Sequence, residues 1–222
     1  MSLQVEDNSK PMIDVIKEMI NFHLLSNPRF LLIGLSNVFG MLGFYAPFVY
    51  LPDMAVSRGI ERNNANFLLS IIGISNTFGR VIAGWFSDFE FVNSLVVTNI
   101  ALFLSGISVF LLPVFSSYTA YAIIALLFGF FIAAYVSLTS IVLVDLMGLD
   151  NLTSSFGLLV LFRGISSMFG PPLVGAVYDA TNSYEAAFYM AGSFLIISSF
   201  VSVLADVFQR IENRKQKGLK SI

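Results

Sequence analysis

Two runs of sequence, FLLSIIGISNTFGRVIAGWFS (Phe67–Ser87) and SSFGLLVLFRGISSMFGPPLVGAVY (Ser154–Tyr178), each hold a single charged residue, Arg80 in the first and Arg163 in the second. Either run is long enough to cross a bilayer as a helix, which takes roughly 20 residues. A guanidinium stays protonated at any ordinary pH. Placing one near the bilayer centre costs at least ~2.5–3.5 kcal/mol on insertion scales, so such residues normally face a bundle interior or a wet cavity. A fixed positive charge lining a membrane cavity suits an anionic ligand. The two runs together point to a helical membrane protein engaged in transport.

The rest of the composition agrees. The chain is 56% hydrophobic and 12% charged, against roughly 25% charged in ordinary soluble domains, and its mean hydropathy is +0.81. A net charge of −2 gives no polyanion-binding surface, so nucleic acid is not an expected partner. With no cysteine, disulfides, thiol catalysis and Cys-based zinc sites are excluded. His23 is the single histidine, so no metal site is expected, and no cofactor is. An intramembrane protease would need a Gly-x-Ser-Gly motif and an intramembrane histidine; neither is present. The chain does not read as an enzyme.

Hydropathy gives six spans: Phe30–Tyr50, Phe67–Ser87, Phe91–Phe115, Tyr118–Val144, Ser154–Tyr178 and Ala186–Ala205. The connections are short and carry turn residues: Pro52, Asp53, Gly59 and Asn63; Asp88 to Glu90; Ser116 and Ser117; Asp145, Gly148 and Asp150; Asp179, Asn182 and Ser183. Short connections make sequential helices antiparallel. The spacing predicts a bundle over 29–207, preceded by an amphipathic or linker segment over 1–28 and followed by a basic tail over 208–222. Within the first segment Ile13, Ile16, Ile20 and Leu24 share one helical face, as expected of a helix lying on the bundle end or the headgroups. The polar opening MSLQVEDNSK predicts no cleavable signal peptide.

Six spans put both termini on one side. That side holds Lys10, Lys17, Arg29, Arg210, Arg214, Lys215, Lys217 and Lys220, against Arg58 and Arg62 opposite. The asymmetry predicts cytoplasmic termini, and the plasma membrane is the expected location.

The stretch GPPLVGAVYDATNSYEAAFYMAG (Gly170–Gly192) resembles the last two helices of the monocarboxylate transporters, a branch of the major facilitator superfamily, through Gly170-Pro171-Pro172, Gly175, Asp179, Tyr184, Phe188 and Gly192. HLLSNPRF (His23–Phe30) is similar to the family's entry into its seventh helix, and GRVIAGWFSD (Gly79–Asp88) to the superfamily's Gly-x-x-x-Asp loop signature, here Gly84 and Asp88. The resemblance runs from residue 23 to 207 with spacing intact. It implies an all-α fold of six transmembrane helices, half of a twelve-helix major facilitator fold. The implied function is the C-terminal half of a secondary transporter that moves monocarboxylates or related small organic solutes by alternating access. Substrate sites of this architecture lie near the midplane between halves. The alternative is a truncated, non-transporting membrane protein that associates with or regulates a full transporter. Expected partners are a small organic anion, with or without a proton in symport, membrane lipid, and an N-terminal transporter half or another transporter chain.

The resemblance also implies site residues. Proton-coupled members carry an Asp and an Arg four residues apart on the eighth helix. Here Asn76 stands for the Asp and Arg80 for the Arg. An i, i+4 spacing keeps both on one face, and Asn76 can hydrogen-bond the guanidinium but cannot take up a proton. Arg80 is the expected carboxylate anchor; the alternative is an arginine satisfied by backbone carbonyls at the interface between halves, or one snorkelling to a surface. Arg163 falls where several members carry Glu; a second anion contact and a structural partner for Asp145 or for an acid on the other half are both open. Ile132 and Val136 fall where the family's tenth helix lines the pocket, so they are expected substrate contacts. Pro171-Pro172 is expected to kink the fifth span, and Asp88 to cap a cytoplasmic loop.

Overall fold

The computed structural model describes residues 22–87, 89 and 93–219. Seven α-helices run among them: α1 (Pro28–Phe44), α2 (Ala46–Ser57), α3 (Arg62–Ser87), α4 (Ser94–Leu111), α5 (Tyr118–Met147), α6 (Leu152–Thr181) and α7 (Tyr184–Leu219). α1 and α2 form one crossing, Pro28–Ser57, and α4 is prolonged by a 3-10 turn to Val114, which leaves six helices long and apolar enough to span a membrane. No strand occurs among the described residues.

Local chemistry sets the helix ends. Asn27 caps α1 by accepting from the Arg29 N–H at 3.0 Å, with Pro28 in the first turn, where a missing N–H costs nothing. Asn93 caps α4 by accepting from the Leu95 and Val96 N–H groups at 3.0 and 3.2 Å, and Ser117 caps α5 by accepting from the Ala120 N–H. α6 ends at Asn182 in the left-handed region (φ 50°), a conformation Asn tolerates better than most residues. The first crossing breaks at Tyr45 because Pro47 opens α2: its ring occupies the place of the N–H that would have continued α1.

Several sequence expectations shift. The first crossing runs to Ser57 rather than Tyr50, so Pro52 and Asp53 are helical rather than turn residues; Asn63, Asp145 and Asp179 are likewise inside α3, α5 and α6. Helices outlast their apolar runs because a backbone at headgroup depth still gains from its own hydrogen bonds. Of the segment read as an amphipathic helix, the described part, Phe22–Ser26, is a 3-10 helix. The segment read as a basic tail begins inside α7, which stays helical to Leu219. Lys10, Lys17, Asp88, Glu90 and Lys220, with the side chains of His23, Asp150, Arg210, Arg214, Lys215 and Lys217, lie outside the described residues.

The most extensive helix contacts are those of α3 with α5, α1 with α7, and α4 with both α5 and α7. Small residues make those approaches possible. A Cβ on Gly79 would lie 2.6 Å from the Phe130 carbonyl oxygen, and one on Gly192 2.8 Å from the Phe110 nitrogen. One core cluster gathers Leu51, Met54, Leu68, Ile72, Phe128 and Phe188; a second gathers Phe30, Ile33, Val142, Leu143, Leu158 and Leu159 towards the other end. α3 and α6 stand apart: only 28% of their most apolar windows is buried, against 44–56% in the other four crossings.

Candidate functional site

α3 presents two different exposed stripes. Ile74, Phe78, Val81 and Trp85, each more than half exposed, form a bulky apolar stripe at helical spacing, suited to acyl chains. One step round the helix, Gly73, Thr77, Arg80 and Gly84 form a small and polar stripe at the same spacing.

Arg80 is exposed on that stripe, and its Nε–H donates to Asn76 Oδ1 at 2.9 Å. Asn76 in turn donates through Nδ2 to the Gly129 carbonyl of α5 at 3.3 Å. The amide therefore has one orientation that satisfies both neighbours, nitrogen to the carbonyl and oxygen to the guanidinium. Glycine at 129 lets α3 come this near: a Cβ there would overlap Ser75 Oγ and stand 2.5 Å from the Ile72 carbonyl. Among the described residues nothing hydrogen-bonds Arg80 Nη1 or Nη2. Two parallel N–H groups are the geometry that grips a carboxylate. Arg80 lies seven residues from the C-terminal end of α3, about 10 Å along the axis.

Arg163 is placed quite differently. It is half-buried; Nε donates to Asn37 Oδ1 and Nη2 to Thr139 Oγ1, both at 2.6 Å, and its Cζ stands 5.0 Å from the Tyr135 ring centroid. Tyr135, fully buried, also donates its hydroxyl to Asn37 Oδ1 at 2.6 Å. Along α1, α5 and α6 respectively, Asn37, Thr139 and Arg163 each fall between members of the two apolar clusters. Sequence reasoning did not single out Asn37, Tyr135 or Thr139. Asn37 and Thr139 had one signal, a polar side chain inside an apolar run; Tyr135 had none.

The structure places the two α5 residues expected in the pocket as follows. Ile132 is fully buried within the larger apolar cluster, beside the α3–α5 seam, and Val136 is half-buried against it. Ile132 thus packs inside this bundle, while Val136 remains partly open.

The Ser57 end of the bundle is knitted by charges. Arg58 donates to the Phe115 carbonyl, to Tyr121 Oη at 2.8 Å, to the Pro113 carbonyl at 2.9 Å and to Glu185 at 2.9 Å. Arg62 pairs with Asp53 at 3.0 Å across the α2–α3 turn. No group of acidic or histidine side chains able to hold a metal ion occurs among the described residues.

A family model described as Major Facilitator Superfamily matches residues 31–221. Monocarboxylate transporter 12 of Xenopus laevis is 32% identical over 197 residues, 88% of this chain and 43% of that protein. Monocarboxylate transporter 14 of Homo sapiens is 32% identical over 87% of this chain and 38% of its own length. Monocarboxylate transporter 9 of Gallus gallus is 32% identical over 74% of this chain and 32% of its own length. The chain spans less than half the length of these relatives.

Proposed function

This chain belongs to the Major Facilitator Superfamily, and we propose that it is one six-helix half of a secondary transporter that carries small monocarboxylates by alternating access. It is an integral membrane protein, and the relatives it resembles are transporters rather than enzymes. The observation that carries the reading is the open guanidinium fork of Arg80, exposed inside a membrane-spanning helix and steadied from behind by Asn76. A cation left towards lipid would be unfavourable, whereas one on a wet cavity wall would bind an anion. Asn76 keeps the fork pointed without neutralising it. It offers no proton site, so this half supports carboxylate binding without a proton carrier at the family's usual place.

The second half is expected on the small and polar stripe of α3 and the matching face of α6. Gly73 and Gly84 on α3, and Gly157 and Gly164 on α6, would each carry a Cβ into open space. Glycines inside membrane proteins mark close helix approaches, and these four have no such neighbour among the described residues. Liposomes holding the 222-residue chain alone are therefore expected to show background lactate uptake. Saturable uptake should appear when a second six-helix bundle, on the same polypeptide or another, is present. Saturable uptake by the lone, monomeric chain would overturn the half-transporter reading. Should the second bundle restore membrane association but no uptake, the chain is instead a partner that regulates another transporter.

The orientation follows from the eight-to-two basic asymmetry. We place both termini in the cytoplasm, at the plasma membrane, with the α2–α3 turn outside. The chain has no cysteine, so Ser57→Cys and Ser221→Cys give clean reporters. Ser57→Cys is expected to react with an impermeant maleimide on intact cells, and Ser221→Cys only after permeabilisation. The reverse pattern would invert the topology.

A further inference from the structure

We propose that Arg163 is a releasable brace for the Leu152–Gly170 arm of α6, a positioning residue rather than a contact to the transported anion; the inference rests on the transport reading above. α6 contains Pro171 and Pro172 in its interior. Neither has an N–H to donate, so the helix bends there at less cost than elsewhere. That point is seated against α1: a Cβ on Gly170 would lie 3.0 Å from the Leu42 carbonyl oxygen and 3.1 Å from that of Met41. Beyond it, Tyr50 of α2 donates to the Pro171 carbonyl at 3.0 Å. Gly175 leaves room for that hydroxyl, which stands 2.7 Å from where its Cβ would be. The pivot and the far arm are thus pinned by backbone contact and by Tyr50.

The Leu152–Gly170 arm packs through Leu158 and Leu159 against α1 and α5, and its polar fastening is of another kind. Its serines bond within their own helix, Ser155 to the Asn151 and Leu152 carbonyls, Ser166 to Phe162 and Ser167 to Gly164. Among the described residues, Arg163 is the side chain of this arm that hydrogen-bonds other helices, α1 through Asn37 and α5 through Thr139. Those acceptors are neutral. A carboxylate in their place would bind the guanidinium about twice as strongly and, in a low-dielectric interior, would resist separation.

The partners also survive release. Asn37 Oδ1 keeps the Tyr135 hydroxyl, Asn37 Nδ2 keeps the Ile33 carbonyl at 2.8 Å, and Thr139 Oγ1 still donates to the Tyr135 carbonyl at 2.8 Å. Letting go of Arg163 therefore orphans no buried polar group. Arg163 itself, only half-buried, can turn outward. A brace of this kind holds the arm at rest and yields when the bundle rocks.

The test uses the full 222-residue chain in lipid nanodiscs, spin-labelled at Gly157→Cys on the arm and Ile100→Cys on α4. Both sites face open surface, and no native cysteine interferes. Electron–electron distance distributions are compared between variants. Asn37→Asp, which supplies a carboxylate, is expected to narrow the distribution; Arg163→Gln is expected to broaden it, and Arg163→Lys to restore part of the width. Thr139→Val removes one acceptor while keeping shape, and should broaden the distribution even where Arg163→Gln fails to insert. Equal widths in the parent, Asn37→Asp and Thr139→Val would overturn the brace. In a transport-competent assembly, Asn37→Asp should lower kcat severalfold at unchanged KM; a raised KM with unchanged kcat would make Arg163 a ligand contact instead. The distance result does not depend on which residue anchors substrate, so a wrong assignment of Arg80 leaves it intact.

Discussion

Arg80→Lys is expected to remove most carboxylate transport while the protein reaches the membrane in normal amount. The guanidinium is exposed, its Nε bond to Asn76 is local to one helix, and among the described residues nothing hydrogen-bonds its Nη1 or Nη2; folding should not depend on it. Lysine preserves the charge and loses the planar pair of donors. A charge-assisted hydrogen bond contributes about 1.5–3 kcal/mol, so losing one arm of the fork predicts a fall in kcat/KM of roughly 10- to 100-fold. Asn76→Asp makes the useful contrast. A carboxylate there would neutralise the guanidinium at neutral pH and cease to do so when protonated, so uptake by that variant should rise as the medium is acidified. The measurement is initial uptake of labelled lactate, normalised to protein at the cell surface. Normal uptake by Arg80→Lys together with loss in Arg163→Lys would transfer the anchor to Arg163.

Gly129→Leu is expected to prevent accumulation of folded protein. The α3–α5 contact is the most extensive in the bundle, and a Cβ at 129 would already overlap Ser75 Oγ and press on the Ile72 carbonyl. A serine hydroxyl can turn away; a helix backbone cannot. The cost should reach at least about 3 kcal/mol, the upper end for overpacked cores, a large fraction of a domain's margin. Because Gly129 also supplies the carbonyl that steadies Asn76, even the milder Gly129→Ala should weaken carboxylate transport in protein that survives. Pairing Gly129→Ala with Ser75→Gly should recover part of the yield, since it clears the hydroxyl and leaves the Ile72 carbonyl. Detergent-solubilised yield and monodispersity read the effect. A wild-type elution profile for Gly129→Leu would contradict the packing.

The six crossings were legible because apolar runs of bilayer length admit few other readings, and the Arg80–Asn76 contact because four residues along a helix form one turn. What stayed hidden is instructive. Arg163 meets Asn37 across 126 residues of sequence and Thr139 across 24, and no periodicity along one chain encodes which helices will touch. Ile132 is expected in the pocket by position in a resembling family, and within this bundle its side chain is fully buried in the larger apolar cluster. Which apolar residue packs and which one lines is fixed by crossing angle and by where glycines permit approach. Hydropathy also misread the helix ends. Pro52, Asp53, Asn63, Asp145 and Asp179 are polar or helix-breaking by composition, but a helix can pass through them at headgroup depth, where water and ion pairs such as Arg62–Asp53 satisfy their side chains. The break at Tyr45 lies inside a continuous apolar run, with Pro47 as its single mark.

Transport through this half requires a carboxylate to meet the open fork of Arg80, and the most direct measurement sets a carboxylate against its own neutral amide. Uptake of labelled lactate in a transport-competent assembly should be competed by unlabelled lactate and hardly at all by lactamide, which matches it in size but offers no anionic oxygen pair. In Arg80→Lys the remaining uptake should lose most of that discrimination. Equal competition by lactamide and lactate in the unsubstituted protein would contradict the anion anchor.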